Sequence, residues 1–397
     1  MAYFDKYGAE FSDDRKTLVK CPTNIQGEYV VPEEVEDIEV YAFHESKGLT
    51  SISIPKSTIG RRHFNLSFIL EEHGKMAAFH VDPKNPKYSS VDGVLFNKSK
   101  TKLIQYPPGK QGKYVIPASV KEIWFRAFCG CEGLTSITIP NTVQLVLDGA
   151  FAGCSNLKEI VFEDGFKKIR GNDVFVGCNS LKSVVLPGSL VSPGRCTFAA
   201  CNNLRKVMIQ EGMKKMSGDA FQECQNIELL KIPSTMRHIY PPLFPYGTYS
   251  AFIDVAKDNP YYKSVNGSLY TKGGQKVLYA RIVDAKCEIE EGVKSFDSTL
   301  LPADRDLKML ILPSTIRQLT IFHEPADTNT IDEIHIRVAD PGRIKYEIQG
   351  VCGKINSDEL RKELSDHTIL YVPKGSEQLY HAHPYFGLFK YIKEEML

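Results

Sequence analysis

The sequence predicts a β-rich solenoid: short parallel strands stacked with a period of 23–24 residues, with β-hairpin inserts and a C-terminal cap. Three observations carry that prediction. Phe128, Phe151, Phe175, Phe198, Phe221 and Phe244 are separated by 23, 24, 23, 23 and 23 residues. After each of the first five, apolar residues return six, nine and eleven positions on, as in Leu134, Ile137 and Ile139. A larger duplication overlies this period. An offset of 85 places Phe11, Tyr29 and Phe43 on Phe96, Tyr114 and Phe128, and residues 85–96 recur as residues 259–270.

Taken along the chain, the first repeat is AFHESKGLTSISIP at residues 42–55, and the next run is AFCGCEGLTSITIP at 127–140. Copies follow at 150–162, 174–187, 197–209 and 220–233, with a degraded one at 301–313. In each copy the last apolar positions alternate with polar ones, the period of a strand with one face inward. Pro55, Pro140, Pro187, Pro233 and Pro313 close the strand, because proline cannot donate to a ladder. Gly, Asn, Ser and Cys between the Phe and the Leu suit a tight corner. A second short extended segment precedes each Phe. Asp92-Gly93 and Asn266-Gly267, flanked by apolar alternation, mark hairpin turns, in modules near 7–31, 85–117 and 259–290. Residues 330–338 and 367–376 have strand character, and the segment after them suits a short helix broken near Pro384. The solenoid is therefore assigned to residues 1–325, and a divergent terminal repeat with its cap to 326–397.

Composition narrows the function class. There are 49 Lys plus Arg against 48 Asp plus Glu, a formal net charge of +1, so the chain as a whole has no basic excess for a nucleic acid. Apolar residues at 42% and charged residues at 24% are those of a folded globular chain. No run reaches the roughly 18 apolar residues of a bilayer span, so no insertion in a membrane is expected. The opening MAYFDKYGAEFSDD lacks a basic stretch followed by an apolar one. No secretory signal is expected in this sequence, which leaves a cytoplasmic address open.

Residue types that can carry chemistry occur in several settings. Cys131, Cys154, Cys178, Cys201 and Cys224 share one repeat position and should form a column of packed free thiols. Side chains in such a column point the same way, poor geometry for a disulfide or a tetrahedral metal site. His381-Ala-His383 does not converge if helical, and a solvated pair is expected. No GxSxG, HExxH or Walker pattern occurs. Glu33, Glu34 and Glu36 supply carboxylates without singling out a pair, and Asn65, Asn97 and Asn266 open acceptor triplets for glycosylation. No catalytic residue, metal site or cofactor is expected.

The outward strand positions are more informative. One row is Ser53, Thr138, Val161, Val185, Met208 and Lys231; the row beside it is Ser51, Ser136, Glu159, Ser183, Lys206 and Leu229. Val161, Val185 and Met208 are consecutive and apolar on a face otherwise given to water. With Lys231 they form the expected partner-binding stripe, against the plainer reading that β-branched residues suit an exposed sheet.

The pattern AF-x-x-C-x-x-L-x-x-I-x-IP, with VDGVLFNKSKTKLIQYPPG at 91–109 and YVPKGS at 371–376, resembles the BspA-like class of leucine-rich repeat proteins. The resemblance covers nearly the whole chain. It implies a leucine-rich repeat solenoid and a non-enzymatic adhesion role at a microbial cell surface or in secreted form. The partner it implies is an extracellular or cell-surface protein or glycan, held by the sheet or by projecting hairpins, and not a nucleic acid. The alternatives are a hydrolase, glycosidase or peptidase, with a site assembled across adjacent coils, and a purely structural spacer.

Overall fold

The computed structural model describes residues 3–60, 74–301, 307–323, 331–350 and 368–396. It divides into two units, Met1–Asn226 and Ile227–Leu397, each a β-solenoid built almost wholly of short strands.

In the first unit, strand Leu134–Ile139 lies between Gly112–Val115 and Glu159–Phe162, all parallel. Ile137 faces Ile160 across the ladder, and Thr138 faces Val161. Ser183–Leu186 pairs in the same sense with Lys206–Ile209. The alternation seen in the sequence is realised: Leu134, Ile137 and Ile139 are fully buried, and Thr138 between the last two looks outward. A second face begins with the short parallel strands Glu122–Ile123 and Leu145–Val146.

The repeat phenylalanines form a spine. Phe128, Phe151, Phe175, Phe198 and Phe221 are fully buried, and their rings stack at centroid separations of 4.5, 4.8, 5.3 and 5.6 Å. Interplanar angles of 6–20° show that each ring lies flat on the next. Offset stacking adds about 0.5–1.5 kcal/mol per pair to the burial of the rings. Two residues past each Phe the backbone turns left-handed. Gly130, Gly153 and Gly177 occupy that corner with φ of 65–70°, whereas Ala200 and Glu223 hold it at 52° and 60°.

The hairpins are not projections. Tyr88–Val91 and Val94–Asn97 pair antiparallel around the Asp92-Gly93 turn. Val94–Asn97 pairs on with Lys102–Gln105, which joins Glu122–Ile123 in parallel. Val94, Leu95 and Phe96 are buried, so this hairpin closes the core rather than reaching into solvent. Asn85 holds it in place. Its fully buried amide donates to the carbonyls of Pro55 and Thr58, at 2.7 and 2.9 Å, and its oxygen accepts the N–H groups of Lys87 and Tyr88. Phe79 N–H donates to the carbonyl of Gly93, tying the turn to the preceding strand.

The second unit repeats that device. Asn259 donates to Pro233 and Met236 and accepts from Tyr261 and Tyr262, ahead of the hairpin Tyr262–Val265 and Ser268–Thr271. The coils that follow build a sheet ordered Ile282–Val283, Lys286–Glu288, Met309–Leu312, Glu333–Ile336, Ile369–Pro373 and Tyr391–Glu395, parallel after the first pair. Helix Glu377–Ala382 turns its buried Tyr380 inward, and the phenol donates to the Val338 carbonyl at 2.6 Å. The short helix and the break before Pro384 match the sequence expectation.

Candidate surface for partner binding

Along the outward face of the first unit, Val161, Val185 and Met208 are 39%, 37% and 38% exposed, as the alternation requires. Val185 and Met208 stand directly opposite each other on paired strands. Val161 stands on the neighbouring strand, which touches Ser183–Leu186 without a ladder to it. Its sheet contains only Gly112–Val115, Leu134–Ile139 and Glu159–Phe162, and the ladder does not continue to Ser183–Leu186. The break falls at the one 24-residue interval, between Phe151 and Phe175, whose extra residue lies after Phe162. The expected three-residue stripe thus crosses a gap in the ladder, with Val185–Met208 on one side and Val115–Thr138–Val161 on the other, where Val115 is 64% exposed.

Val115 is hidden from the repeat pattern because its strand carries no Leu at the usual lead position, only Gly112. The 85-residue offset is the signal that finds it, since Val30, its counterpart, is also 64% exposed. Lys231 lies in the second unit, facing Asp254 across a parallel pair with their charges 3.8 Å apart.

Cations flank the Val185–Met208 pair. Lys158, Lys182, Arg205 and Lys206 are exposed, and both Arg205 and Lys206 donate their backbone N–H groups to the Lys182 carbonyl, at 2.9 and 3.2 Å. Nearby, Ser136 donates its hydroxyl to Glu159 at 2.9 Å. The surface therefore offers a small apolar centre with a polar, mainly basic rim, an arrangement suited to holding a partner.

The cysteine column is buried, and Cys154, Cys178, Cys201 and Cys224 each have a defined acceptor. They donate to the carbonyls of Phe128, Phe151, Phe175 and Phe198, at 3.1, 3.5, 3.2 and 3.0 Å. Burial pushes the Cys224 thiol up to about 12 and Cys154 and Cys178 higher, which keeps them protonated and poor nucleophiles. Among the described residues no group of three His, Cys, Asp or Glu side chains is placed to hold a metal ion.

The histidine pair needs correction. His381 is exposed and lies 3.6 Å from Glu377, but His383 is packed against Tyr346 and Phe386. Its Nδ1 accepts the N–H groups of Tyr385 and Phe386, so it caps a turn rather than standing in solvent. Desolvation lowers its pKa, consistent with a neutral acceptor. Glu36 and Glu33 are engaged by Lys16 and Lys56, and Glu34 is exposed. Asn97 bonds Ser99 and Thr101, Asn266 bonds Glu290, and Asn65 lies outside the described residues.

Residues 21–73 and 121–251 match the BspA type leucine rich repeat region, in six copies. No curated protein sequence matches the chain. Among solved structures, the pneumococcal vaccine antigen PcpA is similar over 78% of this chain and 96% of its own, with a TM-score of 0.50 and 17% identity. A leucine-rich repeat protein of Eubacterium ventriosum is 23% identical over 62% of this chain and 69% of its own, with a TM-score of 0.46. A leucine rich cell surface protein of Faecalibacterium prausnitzii is 19% identical over 69% of this chain and 97% of its own, with a TM-score of 0.42. Among the described residues no helix is long and apolar enough to cross a membrane. Repeats of this type fit a binding role, and residues 21–73 and 121–251 of this chain are BspA-type leucine-rich repeats.

Proposed function

We propose that the protein is a non-enzymatic binding protein, secreted or held at a cell surface, that grips an extracellular protein or glycan with its outward sheet face. The observation that carries this reading is the Val185–Met208 pair, two adjoining apolar side chains open to solvent inside a basic rim. Methionine adapts its shape to varied partners, and an apolar centre enclosed by polar groups is where binding energy concentrates. The BspA-type repeats support both the binding role and the surface or secreted address.

The test uses the full chain against immobilised extracellular-matrix proteins and mucin glycans. The double variant Val185→Thr, Met208→Gln should melt like the parent, since exposed substitutions shift stability by about 0.5 kcal/mol or less. Affinity for whichever probe the parent binds should fall by about 1–2 kcal/mol. Unchanged affinity would remove the pair as the site. Reproducible hydrolase activity lost on replacing one acidic residue would overturn the non-enzymatic reading.

A further inference from the structure

The near-zero net charge conceals a strong local excess. Residues 165–217 contain nine Lys and Arg and two Asp and Glu, so this stretch carries 9 − 2 = +7 in a chain of net +1. Part of that charge is the rim already described. The rest stands on the second face of the coils. Lys167, Lys168 and Arg170 follow the turn at Gly165, and two coils later Lys214 and Lys215 follow the turn at Gly212. All are exposed except Lys168, which is half-buried.

Backbone bonds set their register. Val191 N–H donates to the Lys167 carbonyl at 3.0 Å, and Arg170 N–H donates to the Val146 carbonyl at 3.2 Å. The coil between the two lysine rows presents Ser189, Val191 and Ser192, with no charge, and Val191 is 60% exposed. In the other direction the Lys121 carbonyl accepts from Gln144 at 2.8 Å, so there too a neutral residue follows a cation one coil on. With strands about 4.8 Å apart, successive lysine rows lie about 10 Å apart. Among the described residues, Lys167, Lys168, Arg170, Lys214 and Lys215 have no ion-pair partner. Of the nearby acids, Glu122 is engaged by Lys102 at 3.2 Å and Asp219 by Arg195 at 3.1 Å, while Glu163, Asp164 and Glu211 are exposed in the turns ahead of the lysine rows.

We propose that this face binds a linear sulfated polysaccharide of the glycosaminoglycan type, lying over the Ser189–Val191–Ser192 strip between the lysine rows. The row spacing is close to the length of one disaccharide in an extended chain, so sulfates on successive units meet successive rows. The neutral strip suits the sugar rings, with Val191 against a ring face and serines beside its hydroxyls. A single-stranded nucleic acid fits less well, because residues 165–217 present no exposed aromatic side chain for bases to stack on. A basic surface of this size also draws a polyanion by releasing its condensed counterions.

The experiment titrates a heparin octasaccharide into the full chain at several salt concentrations. The variant Lys167→Gln, Lys168→Gln, Lys214→Gln, Lys215→Gln should bind at least about tenfold more weakly and show a flatter dependence of log affinity on log salt. Its melting temperature should match the parent. A comparison variant in the first hairpin region, at the exposed Lys84→Gln with Lys98→Gln, should change affinity by less than about threefold. The proposal is overturned by any of three results: the four-lysine variant binds as the parent does, the hairpin variant loses as much, or desulfated heparin binds equally well. A single-stranded oligonucleotide of equal charge that displaces heparin at equal concentration would reassign the face to nucleic acid.

Discussion

The coils around Phe128–Cys224 and those around Phe296–Ile344 solve one packing problem with different residues. In the first set each coil brings a ring that lies on the next ring and a thiol that bonds a carbonyl of the preceding coil. In the second set Phe296 is buried but stacks on no other ring among the described residues, and the core is filled with Leu300, Leu307, Leu310, Leu319, Ile336 and Ile344. The corner there is a 3-10 turn, Ser298–Leu300, capped by Asp297, whose carboxylate accepts the Thr299 N–H at 3.0 Å. Parallel ladders persist in both. Inward aliphatic residues on paired strands are therefore enough to make a coil, and the Phe–Cys corner is what makes coils identical.

That comparison breaks first at the spine. Phe175→Ala removes a ring stacked on both sides and should cost about 3–5 kcal/mol in urea unfolding, with a coupling to Phe151 of about 0.5–1.5 kcal/mol in a double-mutant cycle. Phe296→Ala should cost about 1 kcal/mol less, since only burial is lost. Equal losses would mean that stacking adds nothing.

A smaller contrast sharpens the role of the thiols. Cys178→Ser keeps a donor facing the Phe151 carbonyl and should cost less than about 1 kcal/mol. Cys287 is equally buried but makes no such bond among the described residues, so Cys287→Ser should cost about 1–3 kcal/mol. The reverse order in melting temperatures would show that the Cys178 bond is incidental.

The smallest effect lies at the corners. Ala200→Gly and Glu223→Gly relieve a left-handed backbone and should each stabilise by up to about 1 kcal/mol. Thr299→Gly, in the 3-10 corner, should destabilise by about 0.5–1 kcal/mol. Stabilisation at all three positions would erase the distinction between the two corners.

The legible parts of the molecule are those written as a period. The Phe spacing and the alternation after each Leu suffice to place the coils, the inward faces and the buried thiols, because each depends on residues within one repeat. The break between Glu159–Phe162 and Ser183–Leu186 leaves no mark in the pattern, because both strands keep the same spacing from their own Phe. Asn85 gives no sign of being a docking point because its acceptors, Pro55 and Thr58, lie 30 and 27 residues away. His383 departs from its expected solvated setting for a related reason: its partners are backbone N–H groups, which no side-chain motif announces. The lysine rows are invisible to net charge, which averages a surface that segregates its cations.

The column of buried thiols has a consequence for how the solenoid opens. A protonated thiol locked against a carbonyl cannot be alkylated until its own coil has separated from the one before. Cys131, Cys154, Cys178, Cys201 and Cys224 are thus native reporters, one to a coil, each timed by the loosening of its own turn. The order in which they become modifiable under mild denaturant would trace where fraying starts and how far it travels, a record of the chain's unzipping written in its own sulfur.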